Sequence, residues 1–219
     1  LFRSMMYSIL GLAAFALLYS VYGGLSAVVW TDVIQVAVLV FGGFATSYVA
    51  LNWISGGEGA FAGLGTLLDK VPDHFEMILS VDNAHYKDLP GIAVLIGGLW
   101  VTNLYYWSFN QYVIQRTFAA KSVKDAQTGL VFAGFLKLII PLIVVIPGIA
   151  AFYITQYDPA LLQSLQDQFG PMVLNNLPSE QTPDKAYPWV AQLLPVGIKG
   201  VVFAALAAAI VSSLASMLN

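Results

Sequence analysis

The sequence predicts an all-α integral membrane protein, on the evidence of its composition and of the length of its apolar runs. Hydrophobic residues make up 58% of the 219 residues and charged residues 10%, and the mean hydropathy is +0.76. A soluble domain has about 45–50% apolar and ~25% charged residues. The apolar runs reach the roughly 20 residues that cross ~30 Å of hydrocarbon. They lack the period-two alternation of a transmembrane barrel.

Five apolar runs are predicted to be membrane helices. They span 5–22, 28–54, 91–115, 127–154 and 192–219. Gly23-Gly24 leaves almost no linker between the first two, which predicts a tight helical hairpin. The long acidic loops at 55–90 and 155–191 are predicted to be external. Within the first, Gly59 to Leu68 is weakly amphipathic and is expected to form a short interfacial helix. Prolines are expected to break up the second.

A short basic loop sets the predicted orientation. Arg116, Lys121 and Lys124 cluster between two long apolar runs, and the positive-inside rule places such a loop in the cytoplasm. Arg3 and Lys199 then fall on the external side, where each is a single charge able to snorkel. The chain starts without a Met or a signal-peptide layout and stops inside an apolar helix. We therefore expect a middle piece of a longer protein.

Several functional classes are excluded by residue content. The chain has no cysteine, which excludes disulfides and thiol chemistry. Its two histidines, His74 and His85, lie in a polar loop and do not suggest zinc or haem. The net charge of −3 is carried mostly by the loops, and nothing indicates a nucleic-acid partner.

The stretch from Trp100 to Arg116 is too polar to be a simple lipid anchor. Its polar side chains are Thr102, Asn103, Tyr105, Tyr106, Ser108, Asn110 and Gln111. Such groups at membrane depth usually face a bundle interior or a wet cavity. Asn103, Tyr106 and Asn110 recur at i, i+3 and i+7, on one helix face. Amides beside an aromatic ring suit a polyhydroxylated ligand, although interhelical hydrogen bonding uses the same residue types.

Two charged residues within the predicted helices have alternative explanations. Lys137 lies two or three turns into its helix, where a lysine costs roughly 2.5–3.5 kcal/mol. A ligand hydroxyl, a partner acid or a carbonyl freed by Pro141 or Pro147 would offset that cost. Asp32 is either a first-turn carboxylate favoured by the helix dipole, with Thr31 as a cap, or a cation attractor at the cytoplasmic exit.

The last predicted helix carries small residues at a regular spacing. Ala205, Ala208, Ser212 and Ser216 repeat every three or four positions, which is typical of a close-packed helix face. The adjacent hydroxyls of Ser212 and Ser213 are also ligands that a hard monovalent cation prefers, by analogy with hard divalent ions. Packing alone accounts for the spacing, so both interpretations stay open.

A family resemblance rests on segments found in one order along most of the chain. They are Gly23–Val28 with Thr31, Asp32 and Gln35, Trp107–Arg116 leading to Ala119–Ser122, Ala186–Pro188, and Leu193–Gly200 with Ser212–Ser216. Together they resemble the sodium:solute symporter family, in particular its bacterial sodium/galactose and sodium/glucose cotransporters. The resemblance implies a fold like that of the leucine-transporter group, with ten core helices in two inverted repeats. This chain would hold core helices four to eight, with an interrupted helix at the substrate site.

The resemblance also implies a role for individual residues. Asn103 and Lys137 resemble the hydrogen-bonding partners of the sugar, and Tyr106 the aromatic inner gate beneath it. Ala209, through its carbonyl, Ser212 and Ser213 resemble the sodium ligands, and Asp32 an acid on the sodium exit path. The implied activity is sodium-coupled uptake of galactose or glucose by alternating access in the inner (plasma) membrane, without enzymatic chemistry. The expected partners are sugar, sodium and the lipid bilayer. A symporter for another small solute and a non-transporting solute sensor of the same fold are the alternatives.

Overall fold

The computed structural model describes residues 2–83, 86–87, 91–175, 177–179 and 182–218, and all regular structure in these ranges is helical. Both predicted external loops and the end of the last predicted helix include positions outside the described residues. In chain order the helices are α1 (Phe2–Ile54), α2 (Ala60–Lys70), α3 (Gly91–Ala93), α4 (Leu99–Leu104), α5 (Gln111–Phe118), α6 (Val123–Ile140), α7 (Ile146–Gln156), α8 (Pro159–Phe169), α9 (Ala186–Gln192) and α10 (Val196–Leu218). Wider π turns occur at Val94–Gly98, Tyr105–Phe109 and Pro141–Val145.

The described chain divides into two compact units. The first comprises Leu1–Lys70 and Phe132–Asn219, and the second Val71–Val131. Within the described residues, five helical stretches are long and apolar enough to cross a membrane. They are Met6–Gly24, Val28–Ile54, Gly91–Phe109, Val123–Gln156 and Val196–Met217.

Helix α1 changes direction at Gly24, where φ is 58° and ψ is −176°. Residues other than glycine rarely adopt this conformation. Ser20 and Asp32, on either side of it, would be about 18 Å apart along a straight helix. Yet the Ser20 hydroxyl donates to the Ala215 carbonyl and Asp32 accepts from Ser212, although these two α10 positions are only about 4.5 Å apart along their helix. The chain therefore bends at the position where a break between two helices was predicted.

Two adjacent glycines bring α1 against two other elements of the first unit. A Cβ atom on Gly42 would lie 3.0 Å from Cγ2 of Val202 in α10. A Cβ atom on Gly43 would lie 2.6 Å from Cβ of Ile143, in the π turn before α7. Both glycines are buried. Larger side chains at these positions would push the helix backbones apart.

The third predicted helix, 91–115, is not continuous in the structure. It passes through two π turns and stops at Asn110, which has an extended backbone with φ −76° and ψ 110°. Helix α5 begins at the next residue, and the Asn110 carbonyl accepts hydrogen bonds from the N–H groups of Val113 and Ile114, at 3.0 Å each. Asn110 therefore does not continue the helical face of Asn103 and Tyr106, contrary to the predicted i, i+3, i+7 arrangement.

The segment 155–191, predicted as a loop broken by prolines, contains helices that begin at its prolines. Pro159 begins α8, and Pro171 and Pro183 begin the short 3₁₀ helices Pro171–Leu174 and Pro183–Lys185. In the first turn of a helix the missing N–H of proline costs nothing, because it has no intrahelical partner. Asp158 caps α8 by accepting the N–H of Leu161 at 2.9 Å. Proline acts here as a start signal.

A buried tryptophan holds this segment together. Trp189 of α9 is 1% exposed, and its indole N–H donates to the Val173 carbonyl at 2.8 Å. Leu165 of α8, Val173 and Val190 are buried as well. The segment is thus a packed element of the first unit, because its apolar residues bury one another and its one buried indole donor is satisfied.

Candidate functional site

A hydrogen bond between α1 and α10 joins two residues predicted for the cation pathway. The Ser212 hydroxyl donates to Oδ1 of Asp32, and both side chains are half-buried. Neighbouring hydroxyls contribute to the same contact region: Ser216 donates to the Ser212 carbonyl at 2.8 Å and Ser20 to the Ala215 carbonyl at 3.4 Å. The two helices therefore meet through a polar cluster inside otherwise apolar spans.

The prediction that Asp32 is a first-turn carboxylate capped by Thr31 is wrong. Asp32 lies eight residues beyond Gly24, about two turns into the helix. The Thr31 hydroxyl donates back to the Val28 carbonyl at 3.0 Å, whereas a capping residue accepts from an N–H group. The dipole of a helix start therefore does not explain this acid, and its contact with Ser212 becomes its main described feature.

The three predicted sodium ligands share one face of α10. Ala209, Ser212 and Ser213 lie at i, i+3 and i+4 of a continuous helix, and all three are half-buried. This spacing places the Ala209 carbonyl beside both hydroxyls. A serine oxygen that donates to a carboxylate keeps lone pairs for a cation. The bond to Asp32 is thus compatible with Ser212 as a ligand.

Two of the predicted sugar contacts lie in the second unit, Asn103 in α4 and Tyr106 in the π turn Tyr105–Phe109 that follows it. The Asn103 amide donates to the Leu99 carbonyl at 2.8 Å, and its side chain is exposed. An amide has a second N–H and an oxygen beyond this bond. The Tyr106 ring is half-buried and meets Trp107 edge to face, with centroids 5.3 Å apart and an interplanar angle of 86°. This contact holds the ring at the start of the turn.

Lys137, predicted as the third sugar contact, belongs to the first unit and is exposed. It lies in the last turn of α6, within the 34-residue apolar span Val123–Gln156. At 1.5 Å per residue it is about 21 Å from one end of that span and about 28 Å from the other. The lysine is therefore near the middle of the span and deeper than the predicted two or three turns.

The predicted role of Tyr106 as the inner gate of a sugar symporter leads us to expect that Tyr106→Phe retains most sugar uptake and that Tyr106→Ala loses it. A gate that acts through its ring needs the aromatic face and the edge contact with Trp107, and phenylalanine keeps both. Uptake of labelled sugar by the two variants, normalised to the amount of protein in the membrane, measures the difference. Equal loss in both would show instead that the hydroxyl is essential.

Sequence reasoning missed a set of α1 residues that organise the first unit: Gly42, Gly43, Thr46 and Ser47. All four are buried. The Ser47 hydroxyl donates across to the Leu142 carbonyl at 2.6 Å. The signal was present in the sequence, because small residues at i and i+4 mark a close-packed helix face.

Comparison with known proteins finds a matching family and several similar proteins. The model of the sodium:solute symporter family matches residues 3–219. A sodium/glucose cotransporter of Vibrio parahaemolyticus is 68% identical over 98% of this chain. The human sodium/myo-inositol cotransporter 2 is 31% identical over 97%, and a sodium/glucose cotransporter 4 of Danio rerio is 32% identical over 95%.

The matches cover only part of each relative. The aligned region is 39% of the Vibrio protein and 32% of each of the other two, so the chain spans about a third to two fifths of their length. Within that region the family match runs along nearly the whole chain. The chain belongs to the sodium:solute symporter family.

Proposed function

We propose that this protein is a secondary active transporter that couples inward sodium movement to the uptake of a sugar, glucose or galactose, by alternating access. The observation that carries the proposal is the 68% identity to a protein named as a sodium/glucose cotransporter, over 98% of this chain. The apolar spans support a multi-pass protein of the inner (plasma) membrane. The basic loop with Arg116, Lys121 and Lys124 then faces the cytoplasm.

Sodium, as a transported substrate, would be held by oxygen atoms of α10. The Ala209 carbonyl and the hydroxyls of Ser212 and Ser213 supply neutral oxygen ligands on one helix face. The Asp32 carboxylate accepts a hydrogen bond from the Ser212 hydroxyl. The negative charge of the carboxylate then makes the Ser212 oxygen more attractive to a cation. The same carboxylate offers a leaving sodium ion its next contact.

The sugar would be held by three kinds of group. The Asn103 amide can donate and accept toward hydroxyls, and the Tyr106 ring covers an apolar C–H face. The Lys137 ammonium adds a charged donor near the middle of its span. A polyhydroxylated ligand has oxygen atoms that can accept hydrogen bonds from such a charged donor.

Transport needs only non-covalent contacts that form and release, so we assign no enzymatic step. Sodium binding stabilises the outward-open form, sugar completes the site, and both leave after the inward transition. The membrane potential contributes about 2.3 kcal/mol per charge per 100 mV to each inward sodium ion.

The decisive experiment is uptake of labelled glucose and galactose into proteoliposomes containing a full-length symporter that includes this sequence. We expect accumulation with an inward sodium gradient and none when sodium is equal on both sides or replaced by choline. Sugar binding without sodium-driven flux would favour the solute sensor of the same fold.

A polyol is the second candidate substrate, because three-tenths of the aligned residues are shared with sodium/myo-inositol cotransporters. Myo-inositol has hydroxyls around its ring as sugars do, so Asn103 and Lys137 could bind either. Competition separates the two: excess unlabelled myo-inositol should leave labelled glucose uptake unchanged if the site is built for sugars. Strong inhibition would show that the site accepts polyols as well as sugars.

We expect Ser213→Ala to raise the sodium concentration required for sugar binding. The substitution removes a ligand oxygen but keeps the small size that packing requires, so a purely structural serine would show almost no effect. Because sodium and sugar share one coupling free energy, sugar affinity should fall mainly at low sodium. Sugar binding across a sodium titration measures this shift.

The matched control for this experiment is Ser216→Ala, on the same helix one turn on. The Ser216 hydroxyl donates to a carbonyl of its own helix, so its loss should displace the sodium curve less. Superimposable curves for Ser213→Ala and the unmodified protein would leave Ser213 as a packing residue.

A further inference from the structure

In the π turn Pro141–Val145, Pro147 leaves one backbone carbonyl without a hydrogen-bond donor from its own helix. The Ile146 N–H donates to the Pro141 carbonyl, five residues back, whereas in a regular α-helix it would donate to the Leu142 carbonyl. In the π register the next nitrogen, which would serve Leu142, is that of Pro147, and it carries no hydrogen. The Leu142 carbonyl therefore needs a donor from outside its helix.

Ser47 of α1 supplies that donor. Its hydroxyl lies 2.6 Å from the Leu142 carbonyl oxygen and 3.0 Å from the Gly43 carbonyl of its own helix. A hydroxyl has one hydrogen, and the shorter distance is to Leu142. Ser47 is 6% exposed, so water does not replace it readily. One turn earlier on α1, Gly43 lies against Ile143, which holds the two backbones close enough for this bond.

The register of this turn decides which way Lys137 faces. Lys137 lies in the last turn of α6, directly before the π turn, while α7 follows directly after it. A π turn holds one residue more than an α turn. Its collapse to α geometry would rotate α6 relative to α7 by about 100° and shift it by about 1.5 Å. Lys137 would then leave its present face of the helix.

We propose that Ser47 is a positioning residue for Lys137. By satisfying the Leu142 carbonyl from a neighbouring helix, it leaves the Ile146 N–H to Pro141 and so keeps the π register in which Lys137 faces the sugar. This inference rests on the proposed function, because it takes Lys137 as a sugar contact. It adds that the orientation of the contact is set from α1.

The test compares two buried hydroxyls that are adjacent in sequence. Ser47→Ala removes the bond between helices, whereas Thr46→Val removes a hydroxyl that donates within its own helix, to the Gly42 carbonyl at 2.8 Å. Isothermal titration of the full-length protein with D-galactose or D-glucose at saturating sodium gives the affinity. We expect Ser47→Ala to weaken sugar binding about fivefold to tenfold and Thr46→Val less than about twofold. Ser47→Thr, which keeps the hydroxyl, should recover most of the loss.

A double-mutant cycle separates positioning from a general loss of stability. If Ser47 acts through Lys137, Ser47→Ala should cost no further sugar affinity once Lys137→Ala is present. The positioning role would be overturned if Ser47→Ala lowered sugar affinity equally in the unmodified protein and in Lys137→Ala. It would also be overturned if Ser47→Ala alone kept an affinity within twofold of the unmodified protein. Unchanged affinity in Lys137→Ala alone would contradict the proposed sugar contact itself, and the inference with it. If Lys137→Ala lowers sugar affinity as expected but Ser47→Ala does not change it, only the positioning role is contradicted.

Discussion

Lys137→Ala should weaken sugar binding roughly 10- to 150-fold while the protein still inserts and folds, because a hydrogen bond to a charged group contributes about 1.5–3 kcal/mol. The lysine lies near the middle of a 34-residue apolar span, where its removal also relieves a cost of insertion. Stability should therefore stay level or rise while affinity falls. Sugar titration at saturating sodium and the melting temperature of the detergent-solubilised protein give the two quantities.

Lys124→Ala is the control for this change, since Lys124 is exposed in the first turn of the same helix, α6. It removes the same charge about 20 Å away along the axis and should leave sugar affinity unaltered. Sugar affinity within twofold of the unmodified protein in Lys137→Ala would assign the lysine to structural pairing.

Gly63→Ala should lower the free energy of unfolding by about 3 kcal/mol or more. A Cβ atom on Gly63 of α2 would overlap the carbonyl oxygen of Leu51 in α1 and lie 2.7 Å from the carbonyl carbon. That carbonyl is backbone and already accepts the N–H of Ser55 at 3.1 Å, so it cannot move aside as a side chain would. Thermal unfolding in detergent should show a clear drop in melting temperature.

The same helix offers a matched control two residues on. Gly65 is exposed and a Cβ atom there meets nothing within 4 Å. Gly65→Ala should be neutral or stabilising by about 0.5–1 kcal/mol through helix propensity. If both alanine variants melt alike, the close approach of α2 to α1 does not limit stability.

The fold class was predictable because the length and hydropathy of an apolar run indicate a membrane helix whatever the run packs against. The π turns were not predictable, because the carbonyl to which a helix N–H donates depends also on donors from other helices. The hydroxyl of Ser47 is such a donor to the Leu142 carbonyl. The helices of segment 155–191 were missed for another reason. Proline was interpreted only as a breaker, although it is favoured in the first turn.

The helical positions of the candidate sodium ligands were predictable, and the contacts of these residues less so. The positions of Ala209, Ser212 and Ser213 on one face follow from helix periodicity alone. The Asp32–Ser212 bond spans 180 residues of sequence, so no local pattern predicts it. Sugar binding by Asn103, Tyr106 and Lys137 stays a prediction, because the first two residues belong to the second unit and Lys137 to the first.

Because Asp32 and Ser212 are 180 residues apart in sequence, the ribosome makes them at different times. At ~5–20 residues per second, a ribosome needs about 10–40 s to make the chain between them. The span that carries Asp32 therefore reaches the membrane long before its hydrogen-bond partner exists. Asp32 lies only about 6 Å from the start of the span Val28–Ile54, so its cost during insertion is below the roughly 2.5–3.5 kcal/mol of an aspartate at a helix centre, and Ser212 can offset none of it. The other residues of Val28–Ile54, with a mean hydropathy of 1.8, must carry the carboxylate into the bilayer by their own apolarity.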